Sequence, residues 1–462
     1  MSKPKAALTE GPIAKSLFLF SLPILLGNIL QSLNGSINAI WVGQFLGEKG
    51  LAATSNANII MFFLISAIFG FAMAAVILIG QHLGAKKPEE AKRVVGTSTV
   101  FFFLLSVIVG GLGLLFTSVL LDWLNTPQEV KELAVAYTKV MFAGIPFIFG
   151  YNLVMAILRG SGDAKTPFYF LLLSAGLDIL LNPLLILGTG PLPELGITGS
   201  ALATFIAQFI SFTLLLVYLY AKKYFLRITS ADLHMLRIDW SIIAALVRKG
   251  VPMGLQMVVV SLSNLLLIHL VNEYGAEAAA AFGAAMQISS YVQMPAMAIG
   301  GAVTSFAAQN IGAGLWDRIS RLTWIGVLFN LALTGGMVVL LTIFDREALS
   351  LFLPATGRAI ELGVHINAVT LWSFIFFGIF NVVAGVVRSS GAVVVPLTVT
   401  FTALLLLRIP LATWLSHLYG FDAIWWSFPA SFILAALLNV LYYRFGGWKK
   451  ARMMPARGEA AG

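Results

Sequence analysis

Between positions 13 and 445 the chain alternates long apolar stretches with short polar connections. A helix needs about 20 apolar residues to cross the ~30 Å hydrocarbon core of a bilayer. On that measure the pattern predicts twelve membrane-spanning helices, at 16–44, 51–81, 95–121, 133–158, 168–188, 197–221, 250–272, 279–310, 321–344, 360–387, 397–417 and 423–445. One carboxylate, Asp178, is expected at membrane depth. A charge there costs about 2.5–3.5 kcal/mol on insertion scales, so such a residue is a functional candidate by default.

Composition agrees with this class. The chain is 59% hydrophobic, 11% charged and has a mean hydropathy of +0.92, which excludes an ordinary soluble domain. There is no cysteine, so disulfides and thiolate metal sites are excluded. The net charge of +9 does not imply nucleic-acid binding, because the Lys and Arg residues sit in short connections without a basic stripe. The connections and ends of one side carry 23 of the 29 Lys and Arg, whereas the other side carries only Lys49, Lys131, Arg346 and Arg358. The positive-inside rule therefore predicts that both termini are cytoplasmic, as an even number of spans also requires. Lys3, Lys5 and Lys15 precede a long first span with no small-residue cleavage site, so a cleavable signal is not expected.

An internal repeat underlies the spans. Pro23 and Pro252 are 229 residues apart, as are Arg159 and Arg388, Gly162 and Gly391, and Pro167 and Pro396; Gln81 and Gln309 are 228 apart. An even number of spans separates equivalent points, so this is a parallel repeat, expected to enclose a central cavity. The expected domains are an N-terminal six-helix lobe (1–221), a cytoplasmic linker (222–249), a C-terminal six-helix lobe (250–445) and a cytoplasmic tail (446–462). The basic linker reads either as a helix at the headgroup surface or as a plain solvated connection.

Four motifs add a family resemblance. "RGSGDAKTP" after span four, "GQHLGAKKPEEAKR" after span two, "GVPMGLQ" opening span seven and "AQNIGAG" closing span eight resemble the MATE (multidrug and toxic compound extrusion) transporters, over essentially all twelve spans. The resemblance implies an all-α membrane protein of two pseudo-symmetric six-helix bundles. It also implies export of bulky, often cationic drugs against inward flow of protons or Na+. No carboxylate stands in the middle of spans seven and ten, so the chain is most similar to the DinF-like branch, whose ion site lies in the N-terminal lobe.

Carried over residue by residue, that site departs from the family pattern twice. "INAIWVG" places Asn38 where the family usually has an aspartate, and "LDILLNP" gives Asp178 and Asn182 with the two residue types exchanged. Positions 178 and 182 share a helix face, so the acid can move between them within one pocket. Asn34, one turn from Asn38, and Thr204 in "GSALATF" complete the candidate ion-coupling set. With a single acid, a proton suits the pocket better than Na+. The bland alternative is a structural acid held by Asn34, Asn38 or Thr204, with the asparagines acting as interhelical glue.

Met253, Met257 and Met286 are candidate substrate contacts, because methionine repacks around varied ligands; core or lipid-facing packing is the competing reading. Arg159 and Arg388 read as span anchors. Nothing reads as an enzyme: no phosphate loop, metal-ligand cluster or Ser-His-Asp set is present. No cofactor is expected beyond the transported ion. The expected partners are small-molecule drugs and the lipid bilayer, with no nucleic acid, and the expected state is a monomer in the plasma membrane. The alternative function is a lipid-linked or polysaccharide flippase of the same superfamily, for which only Lys139 and Arg408 offer cations within spans.

Overall fold

The computed structural model describes residues 8–189, 193–354 and 357–454, and the regular structure among them is entirely helical. Lys3, Lys5 and positions 455–462 of the expected tail lie outside the described residues. The helices in chain order are α1 (Ile13–Gly84), α2 (Pro88–Trp123), α3 (Gln128–Gly160), α4 (Lys165–Leu187), α5 (Gly196–Ala221), α6 (Trp240–Asn272), α7 (Ala276–Gly312), α8 (Trp316–Ile343), α9 (Asp345–Ser350), α10 (Arg358–Thr370), α11 (Phe374–Ser390), α12 (Val394–Phe401), α13 (Ile409–Tyr419) and α14 (Ser427–Phe445). A turn of π-helix, Thr402–Arg408, joins α12 to α13, so these three pieces form one span.

α1 is two expected spans in one run, broken at Gly47, whose φ of 67° and ψ of −164° lie outside helical geometry. A side chain rarely adopts that backbone, so glycine sets the break. Ten helical segments are long and apolar enough to cross a membrane. α7 falls outside that set, although an eighth span was expected over 279–310. The reason is that Gln287, Gln293, Gln309 and Asn310, with its Gly and Ser residues, lower its hydropathy, while its many small residues suit close helix packing. Against α11, a Cβ at Gly385 would lie 2.9 Å from the Gly300 carbonyl and 2.7 Å from the Thr304 hydroxyl. With α7 counted, and α1 counted as two, the helices carry the twelve expected spans. The chain is a multi-pass membrane protein.

The helices divide into two compact units. One comprises Leu26–Gly250, and the other Leu8–Leu25 together with the chain from Val251. The placement of Leu8–Leu25 differs from the expectation that 1–221 would pack as a block. Its cause is local. The Leu8 amide donates to Gln309 Oε1 (3.0 Å), Asn310 Nδ2 donates to the Leu8 carbonyl (3.2 Å), and Arg318 Nη2 donates to the carbonyls of Glu10 and Gly11 (both 2.9 Å). Phe18 and Phe20 then pack edge-on against Phe329 and Phe306. The "AQNIGAG" motif thus holds the first described turn of the chain.

The linker is also shorter than 222–249, because α6 begins at Trp240, where Asp239 caps the Ser241 amide (3.0 Å). What remains is neither a surface helix nor a free connection. A 3-10 turn, Ser230–Met235, is capped reciprocally by Thr229 and Asp232 and strapped to the start of α2. Lys92 pairs with Asp232 (3.4 Å), Arg93 with Asp239 (2.6 Å), and Thr97 Oγ1 donates to the Arg237 carbonyl (3.1 Å). Hydrogen bonds from the Thr229 hydroxyl and amide, and then the Lys92 ammonium, hold the Asp232 carboxyl below its ordinary range.

Candidate ion-coupling site

Three helices of the first unit converge on Asp178. On α4, Asp178 and Asn182 stand one turn apart, and Pro183 lacks the N–H that would bond the Ile179 carbonyl. α5 approaches α4 closely because Gly199 has no side chain: a Cβ there would overlap the Leu185 backbone. This contact brings Thr204, further along α5, to the acid. From α1 come Asn34 and Asn38, again one turn apart.

The carboxylate receives four donors. Asn34 Nδ2 (2.8 Å) and Asn38 Nδ2 (2.7 Å) donate to Oδ2, while Thr204 Oγ1 (3.0 Å) and Asn182 Nδ2 (3.3 Å) donate to Oδ1. Asn182 Nδ2 also donates to Asn38 Oδ1 (3.2 Å), closing a ring of polar groups across α1 and α4. Asp178 is 2% exposed and Asn182 is fully buried, whereas Asn34, Asn38 and Thr204 are half-buried. Two acceptors in the ring, Asn34 Oδ1 and Asn182 Oδ1, are buried and without a hydrogen-bond partner.

All five residues singled out from the sequence therefore meet at one point. One residue was missed: Tyr137, buried on α3 and within electrostatic range of Asp178. Nothing in the local sequence marks it, because a tyrosine in a span reads as an interfacial or core residue.

The methionines do not gather in the same way. Met253 is buried, Met257 is half-buried, and Met286 packs against the apolar core of the second unit. Arg388 ties α11 to α6 and α12: its Nη1 donates to Gln256 Oε1 (3.1 Å), and Gln256 Nε2 donates to Thr400 Oγ1 (2.9 Å). An apolar cavity of about 510 Å³ lies elsewhere in the first unit, between α2, α3, α5 and the linker, lined by Phe102, Phe147, Tyr224 and Leu236 among others. None of the five polar residues lines it, so its size says nothing about the coupling chemistry. Among the described residues, no three His, Asp or Glu side chains come together as a metal cluster would require.

A comparison with known families gives two matches to the MatE family model, over residues 23–184 and 252–414. They begin 229 residues apart, the offset of the internal repeat. The chain is 38% identical over 441 residues to the probable multidrug resistance protein YoeA of Bacillus subtilis, covering 95% of each chain. It is 26% identical over 435 residues to a protein of Shewanella oneidensis described as an FAD transporter, covering 94% of this chain and 95% of the other. A solved structure described as the outward-facing conformation of a multidrug resistance MATE family transporter superposes with a TM-score of 0.88 at 22% identity, covering 96% of this chain and 98% of that one. Its likeness, below 25% identity, concerns the twelve-helix fold. Taken with the duplicated family match over most of its length, the chain belongs to the MATE family of membrane transporters and is not an enzyme.

Proposed function

We propose that this chain is a secondary multidrug exporter that exchanges bulky, often cationic organic compounds for protons by alternating access, with Asp178 as the proton carrier. The observation that supports this is the ring of donors on one buried carboxylate. An ionised acid is acceptor-only, and the four N–H and O–H groups around Asp178 suit that form. A protonated acid brings a donor and needs an acceptor. Rotating the Asn34 or Asn182 amide would supply the unpartnered oxygen that each already holds in the site. Protonation would then replace a donor on Asp178 by an acceptor and rewire the links between α1 and α4. A proton arriving at one acid thereby becomes a rearrangement of helices, which alternating access requires.

Na+ fits this arrangement less well. A hard cation is held by oxygen ligands, and here amide nitrogens face both oxygens of the carboxylate. The flippase reading is weaker still. Of its two cations within spans, Lys139 is exposed, and Arg408 is enclosed by its own unit. The Lys and Arg asymmetry of the connections supports an orientation with both termini cytoplasmic.

The test is proton release on substrate binding. The purified protein in weakly buffered detergent solution, mixed with a lipophilic cation such as ethidium, should release protons, and the Asp178→Asn variant should bind the dye without release. Equal release from both proteins would remove Asp178 from the role of carrier.

A further inference from the structure

The second unit buries a charge of the opposite sign. Arg408 is 2% exposed, at the end of the π-turn Thr402–Arg408. Its guanidinium lies 4.4 Å from the Phe428 ring centroid and 4.5 Å from that of Phe432, and its Nε donates to Ser431 Oγ (2.8 Å). Its Nη2 is buried with no acceptor. Among the described residues no carboxylate forms an ion pair with it. The Ser427 hydroxyl, one turn from Ser431 on the same face of α14, is likewise buried and unpartnered.

The position is not arbitrary. Arg408 stands in the span that answers, in the internal repeat, the span of Asp178. Each is paired with a hydroxyl of the following span, Thr204 in one unit and Ser431 in the other. π-turns inside α-helices occur frequently at functional sites.

A buried cation without a counter-charge is strongly unfavourable. Two aromatic faces offset part of that cost. They leave the in-plane N–H groups of Nη2 unsatisfied, and a neutral water would leave the charge uncompensated. We infer that the second unit binds a compact monovalent anion at Arg408, of the size and charge of chloride, held by Nη2 and the hydroxyl of Ser427. A bulky organic anion does not suit a guanidinium enclosed to this degree. A lone anion at 408 would hold α13 and α14 together through the transport cycle while the other unit exchanges its proton at Asp178.

The experiment is thermal melting of the purified full-length protein as chloride replaces gluconate at constant ionic strength. The wild type should gain several degrees in a saturable manner, because a ligand that binds the folded state raises its stability. Bromide should reproduce the gain. Arg408→Met, whose straight apolar chain can lie between the two rings, should melt at one temperature in both salts. If that variant does not fold, Ser427→Ala serves instead and should raise the chloride concentration at half-effect several-fold. Identical melting of the wild type in chloride and gluconate overturns the inference. So does a chloride gain that Arg408→Met retains in full, or a half-effect concentration that Ser427→Ala leaves unchanged.

Discussion

Asp178→Asn is expected to reduce gradient-driven export to the level of membranes without the protein, while leaving the protein folded and able to bind drug. The side chains are nearly the same shape, so packing is preserved. What changes is that an amide cannot titrate. Its oxygen still accepts from one pair of donors, while its nitrogen faces the other pair. The unpartnered oxygens of Asn34 and Asn182 can turn to meet that nitrogen, so the variant should resemble the protonated site at every pH. Asp178→Ala should behave differently. It strands four donors in a site with little water, at about 1–3 kcal/mol for each that stays buried and unpaired. It should therefore lose export and also melt lower. Export assayed as efflux of a fluorescent cation from cells, with melting of the purified variants, separates the two effects. Normal export by Asp178→Asn would reduce the residue to a structural acid.

Asn38→Asp should shift the pH profile of export to higher pH, by on the order of one unit or more. Asn38 Nδ2 lies 2.7 Å from Asp178 Oδ2, so a carboxylate at 38 would face the first one at hydrogen-bond distance. Two carboxylates that close cannot both be ionised, and the pair titrates as a unit that holds a proton longer than either acid alone. The same change removes the Asn38 Nδ2 donor to Asp178 Oδ2 and keeps an oxygen at 38 to accept from Asn182 Nδ2. The measurement is initial export rate across a pH series for both proteins, normalised to the amount in the membrane. Superimposable profiles would place position 38 outside the coupling site, despite its hydrogen bond.

The spans and the repeat were legible because hydrocarbon imposes a single rule on every helix, and apolar length obeys it. α7 shows the limit of that signal: a helix buried among others can carry Gln, Asn, Ser and Gly, and its hydropathy falls although it packs as a span. The site residues were legible because polar groups at membrane depth are few and because spacings of four residues put Asn34 with Asn38, and Asp178 with Asn182, on shared faces. Thr204 was legible only as a hydroxyl among the small residues of "GSALATF", and a hydroxyl in a span often bonds its own helix. Tyr137 was out of reach, because its relation to Asp178 depends on how α3 packs in the first unit. The attachment of Leu8–Leu25 to the second unit was invisible for a similar reason. It rests on side chains of Gln309, Asn310 and Arg318 reaching a backbone some 300 residues away in sequence. Arg408 stood out in the sequence as a cation within a span, but its enclosure between Phe428 and Phe432 depends on how α14 packs against the π-turn.

The central claim, that a proton at Asp178 drives export, is tested most directly by counter-transport in proteoliposomes under one gradient at a time. A pH gradient imposed without a Na+ gradient should drive uptake of the lipophilic cation into wild-type vesicles, a Na+ gradient at uniform pH should not, and Asp178→Asn vesicles should respond to neither. Uptake driven by Na+ alone, or by the pH gradient through the Asp178→Asn protein, would contradict it.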